Sequence, residues 1–392
     1  MQLHRRGLLL GAVSVPQVPA HYGAPGQVFK VAMVSDNDKR SGSAQRPGQF
    51  MAYLATLQLQ QQRQHNGGSS YAYSLSAPQV VNTSNRTGLN NSSKDRSDTT
   101  APWQCLPALP PPGLPLLTGY GFGGRGGELS DLLLTPGGGR LLTVDDHTGL
   151  VFEVLPELDG VGAAARLGCG SAKLVPRWVL ANAAGAGAAG FKAEWCVASG
   201  LHPGYEVWPQ GTSAAQPGLL PLPSPLQLVA RVNLSSGHTT WEDWAPMYRR
   251  LATALGVTPP GYVTHEACTW SERHEGYFFL PRRVSLNEAW DRRLDESRGA
   301  QLLLSCSRAG GDVRVVEVRG ATDPRRGYSA MRFLPRTQDQ HIVALKTEEP
   351  WAGGPCCSYL TVLDLDGQVL LPETLISSDM KYEGLEVWPL QG

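Results

Sequence analysis

Apolar and polar residues alternate along GFKAEWCVAS, residues 190–199. Phe191, Ala193, Trp195 and Val197 fall on one parity, Lys192 and Glu194 on the other. A period of two predicts a strand, with Lys192 and Glu194 on one face and the apolar set opposite. QVFKVAMVSD, 27–36, reads as a first strand that ends in acidic residues. One stretch departs from this rhythm. In WEDWAPMYRRLATALG, 241–256, Met247, Leu251 and Leu255 recur at four-residue spacing, which predicts one short helix stopped by Gly256 and Pro259–Pro260.

Two segments lose the pattern. Residues 60–118 are rich in Gln, Asn and Ser and then Pro, and 201–226 carry PQGTSAAQPGLLPLPSPL. Both read as loosely tethered insertions in a β domain covering 27–392. The 45 glycines and 30 prolines show no collagen period and fit many short strands joined by turns.

A layout recurs along the chain. RGGELSDLLLT (125–135), GFKAEWCVAS, VTHEACTWSE (263–272), RGYSAMRFLP (326–335) and MKYEGLEVWP (380–389) each place a Ser or Glu near the start of an apolar strand. With Ser130, Glu194, Glu266, Ser329 and Glu383 as markers, the steps run from 54 to 72 residues. A period near sixty with several short strands per repeat predicts an all-β, five-bladed β-propeller. Any all-β protein offers strand starts to align, so the layout alone leaves other β folds open.

Charge and cysteine content narrow the picture less. The chain has 34 basic and 34 acidic side chains and a formal net charge of zero, which argues against a nucleic-acid carrier. Seven cysteines include no CxxC pair and no zinc spacing, and they leave the redox compartment open. MQLHRRGLLLGAVSVPQVPA, within residues 1–26, has the layout of a signal peptide and is too short to span a bilayer. Sequons at Asn82, Asn85, Asn90, Asn91 and Asn233 point the same way, toward the secretory pathway.

ELSDLLL, VDDHTGLVFEV, GFKAEW, PPGYVTHEACTWSERHEGYFFLPRR, GYSAMRFLP, DQHIVALKTEE and LLPETLISSDMKYEGLEV, in that order, resemble the calcium-activated nucleotidases, or apyrases. The resemblance runs from about residue 28 to the C-terminus, apart from the two insertions. It implies a five-bladed propeller with one central Ca2+ that hydrolyses nucleoside di- and triphosphates. It also implies one calcium ligand per blade, matching Ser130, Glu194, Glu266, Ser329 and Glu383.

Calcium takes six to eight oxygens from carboxylates, carbonyls and water, so the serines suit it through their backbone carbonyls. Lys192 and Lys381 each stand two residues before a candidate ligand Glu, and Arg282 and Arg283 supply fork-shaped donors for phosphate oxygens. Asp36 and Asp38, or Asp145 and Asp146, are candidates to orient or deprotonate the attacking water. Each of these residues alone reads equally well as turn chemistry or a strand end. Two departures stand out: Asn37 replaces the Leu of an Asp-Leu-Asp motif, and His147 replaces the Arg of Asp-Asp-Arg-Thr-Gly.

With no nucleophile motif and no Walker loop, direct attack by water is the simpler mechanism. The leading expectation is a nucleoside diphosphatase acting on UDP or GDP, with ATP and ADP as further substrates. The alternatives are a calcium-dependent lactonase or esterase propeller and a non-catalytic propeller stapled by calcium. Expected partners are a nucleotide, no nucleic acid and no membrane span; a homodimer is one outcome for an oligomeric state left open.

Overall fold

Strands pair mainly with their neighbours in the chain. The computed structural model describes residues 27–36, 50–63, 71–76, 114–120, 126–135, 140–146, 149–156, 172–179, 195–198, 205–209, 228–233, 239–320, 323–350 and 353–389. The chain opens with β1 (Val28–Ser35), β2 (Phe50–Arg63), β3 (Tyr71–Ser76) and β4 (Leu114–Thr118). A meander follows: β5 (Leu129–Leu134), β6 (Leu141–Asp145), β7 (Leu150–Pro156) and β8 (Ala172–Val179). A second meander comprises β9 (Trp195–Ala198), β10 (Tyr205–Pro209), β11 (Leu228–Val232) and β12 (Thr239–Asp243), and leads into α1 (Ala245–Ala254). The third consists of β13 (Tyr262–Ser271), β14 (Gly276–Ser285), β15 (Leu302–Ser307) and β16 (Arg314–Glu317), with the one-turn α2 (Arg292–Asp295) inserted after β14. A fourth, β17 (Gly327–Phe333), β18 (His341–Glu348), β19 (Cys357–Asp364) and β20 (Val369–Ser377), precedes β21 (Tyr382–Pro389). The fold is all-β.

The last strand returns to the first. β21 pairs antiparallel with β1, so the two ends of the domain share one sheet in the order β21-β1-β2-β4-β8-β7-β6-β5, with β3 also on β2. β4 and β8 join this sheet in parallel, and the other three meanders form four-stranded sheets. Their edge strands neighbour one another: β5 runs beside β9, β9 beside β13, β13 beside β17, β17 beside β21, and β21 beside β5. The contact between β21 and β5 is close. A Cβ on Gly384 would stand 2.5 Å from Val34 Cγ2 and 2.7 Å from the Asp131 backbone, which leaves room for glycine alone.

Strong alternation is missing from several strands because both their faces are buried. Phe29, Val31 and Met33 of β1 join one core cluster with Val343 and Leu345 of β18, while Ala32 and Val34 join another with Leu116 and Phe152. β18 does the same in reverse, placing Ile342 and Ala344 against Phe278 and Leu280. Sheets stacked on both sides select continuous apolar runs rather than a two-residue period.

The helix falls where its spacing placed it, but shorter. Residues 241–243 belong to β12, and α1 begins after Trp244, buries Met247, Tyr248 and Leu251, and ends before Gly256 at φ +75°. Its apolar side packs on Cys268, Tyr277, Phe279 and Leu304. A second helix, α2, was not foreseen. It is four residues long, and Asp291 caps it by accepting from the Arg293 and Leu294 amides.

Strands run into both insertions. β2 runs on through Gln60 to Arg63, β3 and β4 lie inside 60–118, and β10 lies inside 201–226. Polar composition misled here because pairing with β1 and β3 satisfies the backbone of β2 whatever its side chains are, and Gln61 is buried with it. Residues 1–26, most of the two insertions, Lys192 and Glu194 lie outside the described residues. Among the described residues no helix is long and apolar enough to cross a membrane.

Candidate active site and cation centre

Four of the marker residues share one backbone device. On β5 the pairing steps from Leu129–Asp145 to Asp131–Val144, leaving Ser130 as the extra residue. On β13 it steps from His265–Pro281 to Ala267–Leu280, bypassing Glu266. β17 bypasses Ser329 between Tyr328–Lys346 and Ala330–Leu345, and β21 bypasses Glu383 between Tyr382–Ser35 and Gly384–Val34. Each marker is therefore a β-bulge residue, outside the ladder and re-aimed by the local kink. The fifth marker, Glu194, directly precedes β9 and lies outside the described residues.

The bulges turn the two glutamates toward a common cluster. Lys381 Nζ stands 2.6 Å from Glu383 Oε1, 2.9 Å from Asp36 Oδ2 and 3.4 Å from Glu349 Oε2. Arg282 bonds Glu266 through one terminal nitrogen and Glu349, at 3.1 Å, through the other. Four carboxylates thus meet two cations. Burial raises the Glu383 carboxyl to about 7; Lys381 opposes that shift, while Asp36 and Glu266 add to it. Burial works against the charge on Lys381, yet Asp36, Glu383 and Glu349 hold its pKa well above the ordinary value. A centre with surplus negative charge in a dry setting favours a further cation.

The serines sit beside this cluster in different states. Ser329 Oγ donates to the Tyr382 carbonyl at 3.3 Å, whereas Ser130 Oγ is buried with no hydrogen-bond partner among the described residues. With carboxylates and bulge carbonyls, the donor types fit a hard oxygen-seeking ion such as calcium. As the side chains stand, no three His, Cys, Asp or Glu among the described residues form a ready metal cluster. The carboxylates rest on Lys381 and Arg282 instead.

Asp36, of the first acidic pair, meets Asp145 and Asp146 of the second through a residue not singled out in the sequence, Glu128. Asp36 and Glu128 form an isolated β-bridge, the Glu128 amide donates to Asp145 Oδ2 at 3.0 Å, and the Asp146 amide donates to the Glu128 carbonyl at 2.9 Å. All four residues are buried. The Asp36 amide also donates to the Lys381 carbonyl at 2.9 Å, so this acidic seam abuts the cation cluster. Asp38, Asn37 and His147 lie outside the described residues.

Arg283, next to Arg282, is buried and fixed from outside the cluster. It donates to the Arg325 carbonyl at 3.1 Å and lies 3.8 Å from Asp295 of α2. Burial, then repulsion from Arg282, lowers its pKa to about 10. Tyr262 donates to Asp295 in turn, and Arg298 donates to the Tyr262 hydroxyl at 3.0 Å. His265, beside the bulged Glu266, takes the opposite direction and stacks on Tyr248 with ring centroids 5.3 Å apart. Burial pushes its pKa down to about 3, so it is a neutral core residue.

Sequence reading missed Glu128 and Glu349. Glu128 stands two residues before Ser130, but only the pairing of β5 with β6 brings it to Asp145. Glu349 follows Glu348 in KTEEP, where nothing local separates it from a surface charge.

Together these features define an all-β protein with a buried carboxylate and cation centre where edge strands meet. The apyrase family model matches residues 111–388. A rat protein named soluble calcium-activated nucleotidase 1 is 38% identical over 264 residues, covering 67% of this chain and 59% of its own length. An apyrase of Cimex lectularius is 35% identical over 271 residues, 68% of this chain and 67% of its own, and apyrase apy-1 of Caenorhabditis elegans is 36% identical over 277. The chain belongs to the apyrase family. It spans 59% of the length of the rat relative.

Proposed function

We propose that this chain is a calcium-dependent hydrolase that releases the terminal phosphate of nucleoside di- and triphosphates, built as a five-bladed propeller. The observation that carries the reading is the convergence of bulged Glu266 and Glu383 with Asp36 on Lys381 and Arg282. The cycle of edge strands β5, β9, β13, β17 and β21 supports one blade behind each ligand. The printed name of the rat relative supports calcium as the ion.

Glu266, Glu383 and Glu194, with the Ser130 and Ser329 carbonyls, would hold the ion. When bound, calcium supplies Lewis-acid charge at the phosphate oxygens. The residues of the chain do the positioning, which is most of what phosphoryl transfer requires. Arg282, Lys381 and Lys192 receive phosphate oxygens, and Arg283 backs Arg282 with a second guanidinium. Asp36, set on Lys381 and joined to Asp145 and Asp146 through Glu128, orients the attacking water and takes its proton.

Phosphate release from UDP, GDP, ADP and ATP, with calcium, with magnesium and with chelator, tests the reading. Calcium-dependent release that chelator abolishes is expected. Release indifferent to chelation, or none from any nucleotide, sinks it. Secretory location and pairing into a homodimer belong to the same proposal.

A further inference from the structure

Two cations in the cluster point their outward donors at one carboxylate. Arg282 gives one terminal nitrogen to Glu266 and the other to Glu349, and the Lys381 ammonium forms ion pairs with Asp36, Glu383 and Glu349. Asp36, Glu266 and Glu383 are enclosed, with side chains 6%, 13% and 12% exposed. Glu349 differs: its side chain is 46% exposed, and it follows β18 rather than lying on an edge strand. It approaches Arg282 and Lys381 from the solvent side, the side from which a soluble anion must arrive.

We infer that Glu349 is a built-in stand-in for a substrate phosphate, occupying the Arg282 and Lys381 donors until an incoming phosphate displaces it. This deepens the proposed function and rests on it. Carboxylate and phosphate oxygens make the same charge-assisted bonds to guanidinium and ammonium groups, so one replaces the other without rebuilding the site. A half-exposed glutamate leaves by rotating its side chain into water, at small cost. In the resting state it compensates two buried cations. With substrate bound, the phosphate does so, and an anion of low charge competes less well with the carboxylate for the two cations. The residue thus sets affinity for phosphate and its release as product, without touching the reacting bond.

Inorganic phosphate titrated calorimetrically into the calcium-loaded full chain, with steady-state kinetics on UDP beside it, tests this in wild type, Glu349→Gln and Glu349→Asp. Glu349→Gln is expected to bind inorganic phosphate roughly fivefold more tightly, the size of a half-exposed charge contact. Its KM and its inhibition constant for product phosphate should fall together, with the melting temperature held. Glu349→Asp, one methylene shorter, should fall between. Unchanged or weaker phosphate binding in Glu349→Gln overturns the proposal and makes Glu349 a brace for Arg282 and Lys381. The binding arm reads this even if no nucleotide is hydrolysed, an outcome that overturns the proposed activity instead.

Discussion

Lys381 Nζ lies 2.9 Å from Asp36 Oδ2, joining two residues 345 positions apart in the chain. The contact exists because β21 pairs with β1, and it places a buried ammonium among carboxylates from both ends of the domain. Removing one partner of such a set strands the others.

Lys381→Met is expected to destabilise the protein by about 3–5 kcal/mol, the usual cost of uncompensated buried charge. If a cation binds among the same carboxylates, it should restore part of that loss. Urea unfolding with and without calcium checks this: calcium should raise the midpoint more in Lys381→Met than in wild type. An equal shift in both would separate Lys381 from the cation centre.

The bulged glutamates and serines should behave oppositely. Glu266→Gln and Glu383→Gln are expected to lose most of the calcium-induced rise in melting temperature along with turnover. Ser130→Ala should leave both nearly intact, because a carbonyl donor survives the change. Ser329→Ala should cost about 1 kcal/mol for its bond to Tyr382, without altering the response to calcium. Differential scanning fluorimetry across calcium concentrations distinguishes the two groups.

Arg283 is held at second hand. Tyr262 donates to Asp295, and Asp295 faces Arg283 across 3.8 Å. Tyr262→Phe removes two hydrogen bonds, the one given to Asp295 and the one accepted from Arg298, at about 1 kcal/mol each, and is expected to raise KM severalfold while leaving kcat nearly unchanged. Asp295→Asn should show the same split in larger measure. Steady-state kinetics over a range of salt concentrations checks it; a fall in kcat alone would assign these residues another role.

His341 gives a pH dependence. Its side chain is buried, bonds the Tyr73 hydroxyl at 2.6 Å and has its pKa lowered by burial to about 4. A folded pKa below the unfolded value of about 6.5 means that acid favours unfolding. The contribution is complete above pH 6.5 and is lost as pH falls toward 4, up to about 3 kcal/mol. Urea midpoints between pH 7 and 4 should fall in wild type and fall less in His341→Gln.

The amino-acid sequence by itself determined the class of fold and the positions of the marker residues. Turn-bounded apolar runs gave the strands, four-residue spacing gave α1, and Ser130, Glu266, Ser329 and Glu383 stood out by their recurrence. Local spacing holds that information because strand and helix periods are properties of consecutive residues. What it could not hold was partnership. The bulges that re-aim those four residues are defined only against β1, β6, β14 and β18, and the meeting of Asp36, Glu128, Asp145 and Asp146 depends on strand register. Glu349 becomes part of the site only where it reaches Arg282 and Lys381. Charge interactions act through space, so tertiary structure alone decided which of many ordinary carboxylates share one buried centre.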